Sequence, residues 1–205
     1  MPVEFLTEEQ KSQYASFSGE PNETQLARYF HLDNTDLTLT NKRRGEYNRL
    51  GFALQLTTVR YLGTFLPDPT KVPQSVIHFI ARQIGITNIE CLTKYMDRKW
   101  TRYTHSAEIQ RYYNYQDFNS ASWRFRLSRM LYTRAWISNE RLGVLFDFSA
   151  AWLIKYKVLL PGITTLTRLI AEIRDRATNR LWNKLCSLPS NEQKDKLEGC
   201  CLYIM

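Results

Sequence analysis

Residues 46–65, EYNRLGFALQLTTVRYLGTF, are the stretch that decides how the chain folds. No proline interrupts this stretch, and its apolar residues cover almost the whole circumference of a helix. They are Leu50, Phe52, Ala53, Leu54, Leu56, Val59, Leu62 and Phe65. Because a helix that is apolar on all sides must be surrounded by other elements, the stretch predicts a central helix packed on several sides.

Start and stop signals predict further helices on both sides of this central helix. The seven prolines all lie between periodic segments, where they cannot break a helix. Pairs typical of capping boxes are Thr7 with Gln10, Asn22 with Gln25, Thr87 with Glu90 and Ser190 with Gln193, and Asp33 can cap another helix. We predict helices over about 8–17, 23–30, 74–84, 89–96, 99–113, 123–137, 141–158 and 165–185.

The fold class is predicted to be all-α, because no window alternates apolar and polar residues with β-branched enrichment. The polar, turn-rich residues 114–120, NYQDFNS, are the candidate boundary between two parts. We therefore predict two helical subdomains built from helix-turn-helix-like units, one over residues 1–115 and one over residues 116–205.

Composition and motifs exclude several classes of protein. The 205 residues are 43% hydrophobic and 23% charged, which is ordinary for a globular protein. No apolar run is long enough to span a membrane, and the first residues lack the features of a secretory signal, so we expect a cytoplasmic protein. The four cysteines and three histidines form no CxxC or HxxxH pair. GxxxxGK[ST], GxGxxG and GxSxG are also absent, so we expect no metal, no cofactor, no small-molecule substrate and no catalytic residue.

The charge is clustered along the chain in a way that favours a polyanionic partner. The net charge is +8, yet residues 1–40 carry a net −5 from two basic and seven acidic groups. Residues 41–60 carry a net +4, and residues 94–134 carry a net +6. Nucleic acid is the simplest partner for such basic regions, and a merely solvated basic surface is the alternative.

Three candidate helix-turn-helix units place polar and basic side chains at helix ends. The first spans residues 22–44, and its acidic first turn puts Asp36 where a phosphate would be repelled. The second spans residues 76–113, and the third joins the helices over 141–158 and 165–185. The candidate DNA-binding residues are Arg43, Arg44, Asn48, Arg49, Arg98, Lys99, Thr101, Arg102, His105, Thr164, Thr165 and Arg168.

The residue types in these units suggest different roles. Asn48 and Arg49 can supply base-edge contacts in the major groove, although both could instead be helix-internal groups. Arg98, Lys99 and Arg102 form a compact basic cluster suited to phosphates, and His105 could equally be a structural histidine.

The helix over 123–137 adds Arg124 and Arg126 to the candidate residues. Their guanidinium groups either contact phosphates or snorkel around a core formed by the apolar residues of the same helix.

Several longer strings, taken in order, resemble the N-terminal region of the Tn-three family of bacterial replicative transposases over residues 2–188. They are VEFLTEEQ, LARYFHLD, RRGEYNRLGFALQLTTVRYLGTFLPDP, HSAEIQRYYNYQDF and LLPGITTLTRLIAEIRDRATNRLW. The resemblance implies a region that binds double-stranded DNA at the terminal inverted repeats of a transposon. It also implies that the catalytic carboxylates lie in a downstream domain, so that this chain is not an enzyme.

Two further expectations accompany this resemblance. The last residues, GCCLYIM, differ from the family pattern, which predicts a truncated gene product or a fragment. The alternative to DNA binding is a helical protein-interaction or assembly module, which would associate with itself or with intact transposase. Salt-dependent DNA binding would favour the first function, and salt-insensitive self-association would favour the second.

Overall fold

The computed structural model of the protein describes residues 5–68, 71–97, 99–190, 192–194 and 196. Within these residues the chain forms ten α-helices, one short 3-10 helix at Ile89–Cys91 and no β-strand. The all-α prediction is confirmed. The helices are α1 (Glu8–Gln13), α2 (Glu23–Tyr29), α3 (Asn34–Asn41), α4 (Glu46–Leu62), α5 (Gln74–Gln83), α6 (Leu92–Met96), α7 (Lys99–Tyr112), α8 (Ala121–Ile137), α9 (Leu142–Lys155) and α10 (Ile163–Ser187).

The first three helices begin at the predicted capping residues. The side chains of Thr7, Asn22 and Asp33 each accept a hydrogen bond from the backbone N–H three residues later. The side chain of that later residue in turn accepts the backbone N–H of the capping residue. α4 ends at Gly63, whose φ of 74° is a left-handed conformation that glycine adopts without strain. α1 is shorter than predicted and ends at Gln13. It cannot continue because Tyr14 has an extended backbone and Ala15 has a left-handed φ of 56°.

α4 is the centre of the first cluster of buried residues, as the sequence predicts. Leu50, Phe52 and Leu56 have no exposed surface, and α2, α3, α5, α6 and α7 all pack against α4. Gly51 allows α6 to approach closely, because a Cβ at this position would overlap the ring of the fully buried Tyr95. The central-helix prediction is thus confirmed.

α8, α9 and α10 enclose a second cluster of buried residues. Leu127 from α8, Leu145 from α9 and Leu166 from α10 meet in it with almost no exposed surface. The buried residues of α10 end at Ala177, and residues 178–187 are exposed or half-buried. The first half of α10 therefore belongs to the core, and its second half extends past it.

The N-terminal residues pack with the second cluster, although they lie in the predicted first subdomain. Leu6 is buried among the residues of that cluster, and Tyr14 packs against it. The Tyr14 hydroxyl donates to the Pro161 carbonyl oxygen at 2.8 Å. From residue 5 onwards, the chain therefore runs beside the second cluster and crosses to the first before α2 begins. We call α2 to α7 with the first cluster the first unit, and α8 to α10 with the second cluster the second unit.

The predicted boundary at residues 114–120 runs along the second unit instead of forming an open linker. The Gln116 N–H donates to the Lys157 carbonyl oxygen at 2.8 Å. Close by, the Leu160 N–H donates to the carbonyl oxygen of Gly63, at the end of α4, at 2.9 Å. Backbone hydrogen bonds thus connect the two clusters beside the boundary.

Candidate nucleic-acid interface

α8 has a buried apolar face and an exposed cationic face. Leu127, Leu131 and Ala135 are buried, whereas Arg124 and Arg126 are exposed. The helix contains four arginines and no acidic residue. The guanidinium groups of Arg124, Arg126 and Arg129 therefore reach solvent while the apolar face completes the core. Both snorkelling and phosphate contact require this arrangement.

α8 and α10 begin at the same end of the second unit. Just beyond the last residue of α8, the carbonyl oxygen of Ser138 accepts Arg174 Nη1 at 3.4 Å. Because α10 is buried only up to Ala177, α8 must run beside the first half of α10. The rings of Trp123 and Tyr156 are 6.0 Å apart, which places the first turn of α8 beside the end of α9.

Exposed cationic side chains collect at this end, which we call the basic end. The N-cap of α10, Gly162, supplies no side-chain cap, and Thr164 and Thr165 are exposed in the first turn. The first N–H groups and the helix dipole of α10 therefore favour an anion. The exposed cationic residues of the basic end are Arg124, Arg126, Lys155, Lys157 and Arg168.

The sequence analysis missed Lys155 and Lys157. Both are exposed beside Tyr156, and Lys157 has a φ of 53° because the chain turns sharply after α9. The signal that could have found them is the tripeptide KYK, in which two lysines flank an aromatic residue directly before a turn. Such interleaving of basic and aromatic residues is common on nucleic-acid-binding surfaces.

In the first unit, Arg43 and Arg44 have different surroundings. Arg43 forms an ion pair with Glu108 of α7, and its guanidinium lies 4.5 Å from the centre of the Phe52 ring. Arg44 is exposed in the loop between α3 and α4. Of these two predicted residues, Arg44 therefore projects into solvent and Arg43 holds α7 against α4.

Asn48 and Arg49 lie in the first turn of α4 and are half-buried. Asn48 Nδ2 donates to the carbonyl oxygen of Arg44 at 2.8 Å, which ties the amide to the backbone directly before α4. This geometry favours the alternative in which Asn48 is a helix-internal group instead of a base reader.

The basic cluster predicted from Arg98, Lys99 and Arg102 is exposed only in part. Lys99 is exposed, whereas Thr101 and Arg102 are half-buried, and Arg102 Nη1 donates to the Pro67 carbonyl oxygen at 2.9 Å. Arg98 lies outside the residues that the structure describes. Lys99 is thus the most accessible described cation of this cluster.

The structure does not bring the predicted DNA-binding residues near Arg43 together with those near Lys99. α4 and α7 run antiparallel, since Gln55 contacts the backbone of Arg102 whereas Arg43 contacts Glu108. Lys99 therefore lies about 13 Å along the α7 axis from the Arg43 contact, at 1.5 Å per residue.

His105 lies in the core and not on a surface that DNA could reach. Only 5% of it is exposed, and its Nδ1 is 2.9 Å from the Tyr95 hydroxyl. That hydroxyl accepts the Gln55 amide at 2.8 Å, so its own proton is directed to Nδ1 of a neutral imidazole. Burial, followed by the nearby Arg43, lowers the pKa of His105 from 6.5 to about 4. We therefore leave His105 out of the proposed interface.

Asp36 also lies in the core, which corrects the expectation that it would repel a phosphate. It has no exposed surface, and its Oδ2 accepts Arg60 Nη2 at 2.8 Å. Its Oδ1 accepts the Tyr113 hydroxyl. The carboxylate thus ties α3 to α4 and to the end of α7.

Acidification is expected to destabilise the first unit through His105. The unfolded histidine binds a proton near pH 6.5, whereas the folded one does so near pH 4. Stability is therefore greatest above pH 6.5 and is lost as the pH falls towards 4, by about 3 kcal/mol in total. Urea unfolding at a series of pH values should show this slope. His105→Gln should flatten it and the exposed His78→Gln should not; an unchanged slope in His105→Gln would contradict the assignment.

Comparison with known proteins agrees with the resemblance seen in the sequence. Residues 5–173 match the family described as "Domain of unknown function (DUF4158)". The chain belongs to the DUF4158 family. The transposase for transposon gamma-delta of Escherichia coli (strain K12) is 58% identical over 193 residues, which cover 94% of this chain and 19% of that protein. The transposase for transposon Tn1546 of Enterococcus faecium is 36% identical over 96% of this chain and 19% of its own length.

A third relative extends this comparison. The transposase for transposon Tn501 of Pseudomonas aeruginosa is 32% identical over 86% of this chain and 18% of its own length. The DUF4158 chain thus spans about a fifth of the length of the curated relatives it matches. The predicted similarity to the N-terminal region of Tn-three family transposases is confirmed.

The part of the chain that the structure describes lacks two features. None of the helices there is both long and apolar enough to cross a membrane. The same residues contain no group of three or more His, Cys, Asp or Glu side chains that could hold a metal ion.

Proposed function

We propose that this DUF4158 chain binds the terminal inverted repeats of a transposon and that the basic end of the second unit is its main DNA contact. The observation that carries this proposal is the convergence of five exposed cationic side chains with the N-terminus of α10. Phosphates are bound by such clusters of cationic groups and helix N-termini. The transposase names of the relatives are consistent with DNA as the polyanion.

Within the basic end, α10 has the features of a recognition helix. It follows α9 after the turn at 156–162, and Thr164, Thr165 and Arg168 are exposed in its first two turns. The N-terminal residues of a recognition helix contact base edges in the major groove, whereas flanking cations contact the backbone. We assign base contacts to these three residues and phosphate contacts to Arg124 and to the two lysines after α9.

The first unit would add a second, weaker contact. Arg44 and Lys99 are exposed there, but they lie at different ends of α7, so each would meet a different phosphate. Linking two modules raises the effective concentration of the second, so the whole chain should bind more tightly than either contact alone.

The test is a titration of the whole chain with a fluorescent duplex of the flanking inverted repeat and with a scrambled duplex of equal length. Affinity should fall steeply between about 50 and 200 mM salt, because phosphate contacts release counterions. The repeat should be bound more tightly than the scrambled duplex at every salt concentration. Equal affinity for both duplexes would overturn recognition of the ends, and salt-insensitive binding would overturn the basic end as the contact.

We propose further that the chain recognises DNA without cutting it. The matched region is about a fifth of each relative, and the resemblance assigns strand cleavage to a downstream domain. Incubation of the pure protein with repeat-bearing DNA and Mg²⁺ should give binding and no nicks. Reproducible cleavage at the transposon end would contradict this part of the proposal.

An assembly role is the second candidate, and the second half of α10 favours it. Trp182 of α10 is 61% exposed, Leu185 lies three residues later on the same helix, and Leu188, directly after α10, is 68% exposed. Such an apolar stripe is typical of a surface that another protein covers. Sedimentation at two salt concentrations distinguishes the candidates: salt-insensitive self-association that Trp182→Ser abolishes would support assembly.

A further inference from the structure

A groove lies between α8 and α9 on the second unit. Both helices pack on α10 more extensively than on each other, which leaves a cleft of about 590 Å³ between them. Its apolar lining includes Met130 and Ile137 from α8 and Phe148 and Trp152 from α9, and Arg126 and Arg129 are among its polar residues. Ile137 is 78% exposed at one end.

The charges of the groove are of one sign. No acidic side chain is among the described residues that line it. Arg134 is already held by Glu140, with N–O distances of 2.6 and 2.8 Å, but neither Arg126 nor Arg129 forms an ion pair within the described part of the chain. An occupant with carboxylates along its edges would therefore supply the charges that these two exposed arginines lack.

We propose that this groove binds an amphipathic α-helix whose apolar face is bordered by acidic residues. Side chains at positions i, i+3, i+4 and i+7 of the partner would fill the apolar floor, and its carboxylates would meet Arg126 and Arg129. Met130 suits such a floor because its flexible side chain adapts to different partners. This interaction goes beyond the proposed function, because it concerns a protein partner and a surface that shares only Arg126 with the cationic residues of the basic end.

The ring arrangement favours a peptide over a strand of DNA in this groove. The Trp123 ring is covered by the Arg126 guanidinium at 4.8 Å and lies against Trp152 at 6.0 Å. The Trp152 ring is in turn 4.6 Å from that of Tyr156. A base would have to displace these neighbours before it could stack, whereas aliphatic side chains can insert beside the ring edges.

The test uses a fluorescent synthetic helix of about 18 residues, or five turns, with leucines on one face and glutamates beside them. Fluorescence anisotropy with the full chain should show saturable binding. A peptide with lysine in place of each glutamate, and one interrupted by proline, should bind far more weakly. Equal binding of the lysine peptide would overturn the proposal, and so would an absence of binding to all three peptides.

Two substitutions localise the binding to the groove. Ile137→Glu should weaken the acidic peptide at least about tenfold, because it places a like charge in the apolar contact. The matched control is Val144→Glu, which places the same charge on another exposed apolar residue of the same unit outside this groove. Arg129→Ala should weaken binding about threefold, and the exposed Arg176→Ala on α10 should not. Equal effects of Ile137→Glu and Val144→Glu would contradict the proposed site.

The same variants separate this proposal from the proposed function. Ile137→Glu should keep the wild-type preference for the inverted-repeat duplex. If it instead lost DNA binding while the peptide never bound, the groove would be a DNA surface and this inference would be wrong. Failure of the chain to bind the repeat, with peptide binding retained, would overturn the proposed function alone.

Discussion

Replacing Asp36 with alanine is expected to reduce the free energy of unfolding by about 3 kcal/mol, because it removes one partner of a buried ion pair. Asp36 has no exposed surface, and Arg60 reaches it at 2.8 Å from α4. Without the carboxylate, the Arg60 guanidinium loses this ion pair and retains its hydrogen bond to the His31 carbonyl oxygen. Burial and then the hydrogen bond to Asp36 raise the pKa of Tyr113, so its hydroxyl stays protonated and would lose its acceptor.

Urea unfolding followed by circular dichroism measures this effect. Asp36→Asn, which keeps the shape and some hydrogen bonds, should lose less stability than Asp36→Ala. The double variant Asp36→Ala, Arg60→Ala should be less destabilised than the sum of the single variants, because the two groups interact. Asp175→Ala is the matched control, since that aspartate is exposed on α10. An Asp36→Ala protein as stable as the Asp175→Ala protein would show that the buried pair contributes nothing.

The helices could be predicted from the sequence because their signals are local. Thr7, Asn22 and Asp33 cap helices through residues only three positions away, and Gly63 ends α4 within one turn. The all-round apolar pattern of α4 likewise depends on the helix itself, and α2, α3, α5, α6 and α7 pack against it. Local rules therefore yield the elements and the identity of the central one.

The surroundings of single polar residues could not be predicted in the same way. Asp36 was expected at a surface because it lies in a helix first turn, yet its partners Arg60 and Tyr113 come from 24 and 77 residues away. His105 is buried because the Tyr95 hydroxyl, which accepts from Gln55, hydrogen-bonds to its ring. Leu6 packs with residues more than a hundred positions later. Such pairings follow from the packing of helices and leave no periodic signal.

The basic end shows both the value and the limit of the sequence pattern. Arg124, Arg126 and Arg168 were candidates because they lie near helix starts in a basic chain. The starts of α8 and α10 were not predicted to lie at the same end. They lie there because the short connections at 138–141 and 156–162 each reverse the direction of the chain. Lys155 and Lys157 belong to the basic end because the end of α9 lies beside the starts of α8 and α10.

Replacing Arg124, Lys155 and Arg168 together with alanine is expected to weaken binding to the inverted-repeat duplex by about a thousandfold near 0.1 M salt. Each of the two phosphate contacts accounts for roughly tenfold, and the base contact of Arg168 accounts for about another tenfold. All three side chains are exposed at the basic end, so their removal should leave the core intact. The slope of log K against log salt should become shallower by about 1.8 for the two lost phosphate contacts. The scrambled duplex should lose a similar factor for Arg124 and Lys155, because phosphates carry no sequence information.

The matched control for this variant removes the same charge from another surface of the second unit. Arg176, Arg180 and Lys184 are exposed on the later part of α10, so their triple alanine variant has the same net charge. If the basic end is the contact, this control should keep most of the affinity and nearly the wild-type salt slope. Arg168→Ala alone should cost about 1–3 kcal/mol on the repeat and less on the scrambled duplex, since we assign it a base contact. Equal losses in the two triple variants would mean that net charge, and not the basic end, determines DNA binding.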